Sequence, residues 1–252
     1  MRLVPNQPSR SVPFSGRLAD ALSGANAVAY CLVLPAILLR LGFTLAPAIQ
    51  TFWLSFTDKS LMASGRFVGL ANYAAMLSDK TLIASLGFTI FYTAASVAAE
   101  TGLGLLIALL LMRQVRAKWI SNFIMLLPWV MAPLLAATVW KIMFYEDGGI
   151  LNQILRDAGI IASPIRWLSD ANTARFSVIL VTVWKNVSWV ALIFMAALAA
   201  LPKDVYEAAE VDGTNAVQRF RYITVPMLRP TIFLVLMFRG MGEVQTFEQI
   251  GG

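Results

Sequence analysis

The sequence predicts an all-α polytopic membrane protein, with about five transmembrane helices and a short cytoplasmic helix-turn-helix between the last two. Three observations carry this. Of 252 residues, 58% are hydrophobic and 13% are charged, far more apolar than a soluble domain of average composition. Several apolar runs reach the roughly 20 residues that a helix needs to cross a bilayer. The alternating short segments of a transmembrane barrel are not visible. Composition also excludes chemistry. There is no histidine, and the one cysteine, Cys31, lies inside an apolar run. Ser-His and Cys-His catalysis, His-based zinc sites, an internal disulfide and a thiolate metal cluster are therefore ruled out. The formal charge of +6 gathers in short flanks of the spans, where it sets orientation, and is not a nucleic-acid signal.

Residues 1–26 read as a polar tail, with Pro5, Pro8 and Pro13, and with Arg2, Arg10 and Arg17 against Asp20. The positive-inside rule places it in the cytoplasm. A cleaved signal peptide is the alternative, but the apolar run after it is too long and lacks a clear cleavage site. Span one covers about 27–56 and contains Pro35, Pro47 and Arg40. A charge near the middle of a span costs about 2.5–3.5 kcal/mol, so Arg40 either snorkels from a tilted helix or faces a partner or water. Span two, about 82–112, carries Glu100. Ala94, Ala95, Ala98 and Ala99 form small-x-x-x-small pairs suited to close packing, and Gly102 and Gly104 relax the helix. A carboxylate in hydrocarbon takes a proton or finds a partner. Glu100 is thus either a structural ion-pairing group or part of a polar path through the bundle. Arg113-Gln114-Val115-Arg116-Ala117-Lys118 is a basic cytoplasmic loop without an acid.

Span three, about 119–144, is interrupted by Pro128 and Pro133, which is tolerated where a helix lines a cavity or packs on neighbours. Lys141 lies near its outer end. An external loop continues to Arg175, with an amphipathic helix expected from Leu151 to about Ala158. Span four, about 176–201, holds Trp184, Lys185, Asn186, Ser188 and Trp189 in its first half. Two readings fit. Indole faces pack on apolar sugar faces while polar groups hold hydroxyls; an interfacial aromatic belt with a snorkelling lysine has the same composition.

The polar stretch 201–230 separates spans four and five. Pro202 and Asp204 open a helix over 203–211, Asp212-Gly213 stops it, and Asn215 caps a second helix to about Tyr222. Pro226 and Pro230 open the next apolar segment. Ala208 and Ala209 are small enough for another protein to approach the backbone. On spacing alone, a solvated connecting loop fits as well. Span five, about 225–244, ends with Arg239 and Glu243, four apart and able to pair on one face.

Glu207-Ala208-Ala209, Asp212-Gly213, Gln218, Phe220, Ile223, Pro226 and Pro230 together resemble the EAA loop of bacterial ABC-importer permeases, in the form found in the carbohydrate-uptake (maltose-type) family. Leu54-Ser55-Phe56, Phe67 to Tyr73, Gly148 to Asn152, Trp167-Leu168 and Gln245 to Ile250 resemble other segments of that family. The likeness begins near residue 28. It implies a transmembrane domain over 27–252, with Glu207, Ala208, Ala209, Asp212 and Gly213 coupling to a cytoplasmic ABC ATPase dimer. Glu100, Trp184, Lys185, Asn186 and Trp189 become candidates for the translocation path. The implied partners are that ATPase, a second, paralogous permease, an extracytoplasmic solute-binding protein and the bilayer. No cofactor is expected in this chain; ATP and Mg belong to the ATPase. The implied setting is a bacterial inner membrane with a cytoplasmic N-terminus. The implied solute is a sugar or sugar-like compound such as a disaccharide or glycerol-phosphate.

The sequence departs from the family by one span. The family core has six, and here five precede Gly251-Gly252; a truncated form, a shifted reading frame and a naturally short protein all fit. The chain has no Gly-x-x-x-x-Gly-Lys-Ser/Thr phosphate loop, no His-Glu-x-x-His and no Gly-x-Ser-x-Gly elbow. A membrane-embedded enzyme acting on lipid-linked sugar is the runner-up reading. Glu146, Asp147, Asp157 and Asp170 are its external acids, but they are scattered and offset by arginines. An inactive truncated scaffold is the third reading.

Overall fold

Hydrophobic length decides where this chain is helical, and proline and cap residues decide where each helix starts and breaks. The computed structural model describes residues 25–58, 65–113 and 118–245. Expectations for the N-terminal tail, for the middle of the basic loop and for the segment after Gln245 lie outside these residues. The structure is 81% helical, and no strand is present among the described residues, which fixes the all-α class.

The chain forms two units, 1–82 and 83–252. In the first, helix α1 (Ala25–Arg40) passes through a π turn (Leu41–Leu45) into α2 (Ala46–Leu54). Together they make a span from Ala27 to Leu54. Pro47 falls in the first turn after the π turn, where its missing N–H costs little. Arg40 is exposed. Beyond the span, Thr57 and Phe67 form an antiparallel bridge. Asn72 Nδ2 donates to the carbonyl oxygens of Ser55 (2.8 Å) and Thr57 (2.9 Å), and Tyr73 OH lies 2.7 Å from Ser55 Oγ. The two motif pieces on either side of residues 59–64 thus meet, with Asn72 at the start of α3 (Ala71–Ser78) as the clasp.

The second unit is built on three long helices. These are α4 (Lys80–Arg113), α8 (Ala171–Ala199) and α11 (Val225–Val244). Ala108, Val190, Phe194, Leu228 and Val235 form their shared buried core. The packed face of α4 runs Tyr92, Ser96, Glu100, Gly104, Ala108, a spacing of one helical turn, and all five are buried. Of the four alanines expected to mediate close packing, Ala94 and Ala98 are exposed and Ala95 and Ala99 are half-buried. Gly104 makes the closest approach: a Cβ there would lie 2.6 Å from Val190 Cγ1, so glycine is what lets α4 close on α8.

Between α4 and α8 come α5 (Lys118–Val130) and α6 (Pro133–Met143), which meet at 94° across Met131 and Ala132. Pro133 cannot continue the incoming helix, and it opens the next one instead. The short helix α7 (Ile150–Asp157) coincides with the expected amphipathic segment within a residue. Helix α8 begins five residues before the expected start at Phe176. The Asp170 carboxylate caps it, accepting from the backbone N–H groups of Thr173 and Asn172 at 3.1 Å each. These donors, Thr173 first, hold the Asp170 carboxyl below its ordinary range. The cap's contribution is therefore complete above the ordinary carboxyl pKa and is lost as pH falls through the lowered one.

After α8, helix α9 (Lys203–Val211) and helix α10 (Ala216–Arg219) form the expected helix-turn-helix. Asn215 makes a full capping box with Gln218. Replacing Asn215 by Ala should cost about 1 kcal/mol of helix stability, measurable as a lower unfolding midpoint in detergent. The second helix does not stop at Tyr222, however. It runs through a π turn (Phe220–Thr224) directly into α11, giving one helix from Ala216 to Val244. The wider turn accommodates Pro226, which lacks the N–H a regular helix would need there. Among the described residues, four helices are long and apolar enough to span, or five where the bent α5–α6 pair is counted as one broken span.

Candidate functional site: a braced loop and a buried ionic node

The helix-turn-helix is braced by its own side chains. Glu210 on α9 pairs with Arg219 at the end of α10 (2.9 Å), and Tyr206 OH lies 2.8 Å from Thr224 Oγ1 in the π turn. Gly213 has φ +75°, a left-handed conformation, and its N–H donates to the Glu210 carbonyl at 3.0 Å. A Cβ at Gly213 would meet nothing within 4 Å, so backbone conformation alone asks for glycine. Thr214 donates twice to the Ala209 carbonyl, from N at 3.1 Å and from Oγ1 at 2.6 Å. Ala209 is buried against its own loop, whereas Glu207, Ala208 and Asp212 face outward. Around them stand exposed apolar side chains: Val211 (88% exposed), Val217 and Tyr222. Sequence reasoning missed the Glu210–Arg219 and Tyr206–Thr224 braces, because both partners of each pair lie beyond helical spacing.

The second feature is a polar node inside the bundle. Glu100 is fully buried, and Arg239 forks onto it with Nε to Oε2 at 2.7 Å and Nη2 to Oε1 at 3.1 Å. Arg239 Nη2 also donates to Glu243 Oε1, one turn along α11. Glu243 Oε2 accepts from Tyr92 OH at 2.6 Å, and Tyr92 OH lies 2.8 Å from Thr182 Oγ1. Asn186 Nδ2 reaches Glu243 Oε1 at 3.4 Å. One guanidinium thus serves two buried carboxylates, and the node ties α4, α8 and α11 together. On the same α4 stretch, Thr93 Oγ1, Ser96 Oγ and Thr101 Oγ1 are buried without a protein hydrogen-bond partner.

The candidate path residues fall in four places. Glu100 and Asn186 belong to the node. Lys185 is buried and its Nζ donates to the Met131 carbonyl at 2.7 Å, at the α5–α6 break. A backbone group freed by the break thereby gains a cationic donor. Trp184 meets Trp140 edge-on at 5.4 Å, and the contact continues through Phe144 to Trp167. Trp189 packs against the apolar core.

Between α6 and α8, Asn152 is the hub of the loop. Its Nδ2 donates to the carbonyls of Ile165 (3.0 Å) and Glu146 (3.2 Å), and its Oδ1 accepts from Ile165 N and Trp167 Nε1 at 3.0 Å each. Next to it, a Cβ on Gly149 would lie 2.2 Å from the Tyr145 carbonyl oxygen. Asn152→Leu should therefore strand several buried donors and acceptors at about 1–3 kcal/mol each. Limited proteolysis between Tyr145 and Asp170 should speed up in that variant.

Helices long and apolar enough to cross a membrane, packed around a buried ionic node, define a multi-pass helical membrane protein. The model of the family "binding-protein-dependent transport system inner membrane component" matches residues 100–247, from Glu100 through the loop and α11, and the chain belongs to that family. It is 34% identical over 222 residues to the trehalose/maltose transport system permease protein MalF of Thermococcus litoralis, covering 88% of this chain and 75% of the relative. It is 38% identical over 209 residues to the sn-glycerol-3-phosphate transport system permease protein UgpA of Agrobacterium fabrum, covering 82% and 70%. Its fold is similar to that of a chain in the crystal structure of a bacterial ABC transporter involved in the import of the acidic polysaccharide alginate. There the TM-score is 0.75 at 22% identity, covering 90% of this chain and 76% of the other. The chain is therefore a permease subunit of an ABC importer and acts as a transport component, not an enzyme.

Proposed function

We propose that this permease forms the translocation path for a sugar or sugar-like solute, and that its helix-turn-helix couples the path to a cytoplasmic ABC ATPase dimer. The observation that carries the proposal is the braced loop: a helix pair fastened by Glu210–Arg219 and Tyr206–Thr224, with Ala208 outward and exposed Val211, Val217 and Tyr222 beside it. Apolar side chains of that size on a loop in water suit a protein partner. ATP and Mg are proposed to sit on the ATPase. A second, paralogous permease completes the path, and an extracytoplasmic binding protein delivers the solute. The latter has support from the similar alginate transporter, whose structure was solved with an alginate pentasaccharide-bound periplasmic protein. Arg2, Arg10 and Arg17, with the basic run Arg113 to Lys118, favour a cytoplasmic N-terminus.

The path is proposed to run beside the ionic node. Glu100, Lys185 and Asn186 supply its buried polar groups, Trp184 and Trp189 its aromatic faces, and the unpartnered hydroxyls on α4 its further hydrogen-bonding capacity. The sugar assignment draws on the names of the relatives, trehalose/maltose and sn-glycerol-3-phosphate. The test is uptake of labelled maltose and labelled sn-glycerol-3-phosphate by proteoliposomes holding the complete importer. ATP-dependent uptake of either solute is expected, with Trp184→Ala lowering uptake about tenfold, equivalent to ~1.4 kcal/mol of lost binding. Uptake untouched by Trp184→Ala would remove Trp184 from the path.

A further inference from the structure

The buried node and the extramembrane loop lie on the same helix. From Ala216 to Val244 the chain is one continuous helix, with the π turn inside it. At its inner end, α9 is fastened to this helix by Glu210–Arg219 and Tyr206–Thr224. Toward its other end, Arg239 is fastened to α4 by the forked pair with Glu100. At about 1.5 Å per residue, the two fastenings are roughly 30 Å apart. Apolar contacts such as those of Leu228 and Val235 resist separation but allow one helix to slide or turn on another, since dispersion is not directional. A bidentate guanidinium–carboxylate pair does not, because both of its hydrogen bonds fix orientation. Glu243 matters here as well. It keeps a counter-charge beside Arg239 on α11 itself, so the guanidinium stays aimed across to α4.

We propose that the Glu100–Arg239 pair locks α4 to the 216–244 helix, so that the two move as one body when the loop at 203–219 is displaced. The proposal rests on the reading of that loop as the ATPase-coupling element. Glu100 and Arg239 are then positioning residues: they touch no nucleotide, and they set which helices move with the loop.

The test uses the full importer with its ATPase in lipid nanodiscs, on a Cys31→Ser background. Spin labels go at Ile90→Cys on α4 and Met241→Cys on α11, both exposed positions. The distance between them is measured without nucleotide and with ATP and vanadate. In the otherwise unaltered complex the distance should hold within about 1 Å. In Glu100→Met, which leaves Arg239 paired with Glu243, it should change by more than about 3 Å, in the range of known helix shifts. Arg239→Lys keeps the charge but loses the fork, and it should give an intermediate change; it replaces Glu100→Met should that complex fail to assemble. A variant that assembles and holds the distance as firmly as the unaltered complex overturns the proposal. So does an unaltered complex whose distance already changes by several ångströms. ATP hydrolysis by the unaltered complex, measured in the same sample, tests the coupling reading separately.

Discussion

Arg239→Met is expected to abolish accumulation of folded protein in the membrane. Glu100 is fully buried and Glu243 nearly so. Arg239 is the cation that both contact in the node. Removing one partner of a buried pair typically costs about 3–5 kcal/mol, because the charge left behind has neither water nor a counter-ion. That is a large part of the stability of an ordinary domain, about 5–15 kcal/mol. The neutral triple variant Glu100→Gln/Arg239→Met/Glu243→Gln should recover much of the loss, since it leaves no orphan charge while keeping similar volumes. Detergent-solubilised yield and the thermal midpoint of the purified chain report both effects. If Arg239→Met folded as well as the parent, the node would have no energetic role.

Gly213→Val is the second large expected effect, and it acts on function more than on folding. At φ +75° a β-branched residue is strained by about 1–3 kcal/mol. Relief comes by unwinding the turn, which breaks the Gly213 and Thr214 bonds to the Glu210 and Ala209 carbonyls. The α9 helix would then lose its fixed angle to the 216–244 helix. The ATPase should co-purify in much smaller amount, or hydrolyse ATP without driving uptake. Gly213→Asn is the control, because asparagine tolerates the left-handed region, and it should keep most of the activity. Normal uptake by Gly213→Val would count against the docking role of this loop.

Much of the architecture was readable from local sequence because its causes are local. Apolar length located the spans, Asn215 announced a helix cap, and the four-residue spacing of Arg239 and Glu243 announced their pair. The break near Pro133 was visible for the same reason. What escaped sequence reading depends on residues far apart in the chain. Glu100 and Arg239 are separated by 139 positions, and no periodicity relates them. Glu100 could be recognised as needing a partner, but the partner could not be named. Lys185 fitted either a snorkelling interfacial lysine or a path residue; it is buried and bonded to the Met131 carbonyl, because the helix break created an acceptor there. The role of Asn152 was equally hidden, since its four strong hydrogen bonds go to Glu146, Ile165 and Trp167, on the two sides of the loop between α6 and α8. Pro226 misled in a different way. A proline after a polar loop suggests a fresh helix, and only the π turn shows that the helix passes through it.

The most direct test of ATPase docking on this loop is a mild-detergent pull-down of the tagged chain from its native membrane, with every co-purifying chain identified, performed side by side for the parent and for Gly213→Val. An ABC ATPase, a second permease and an exported solute-binding protein should accompany the parent, with the ATPase depleted from the variant. A parent chain that elutes alone, or an ATPase retained equally by both, would contradict the assignment of the 203–219 loop as the contact through which ATP hydrolysis drives transport.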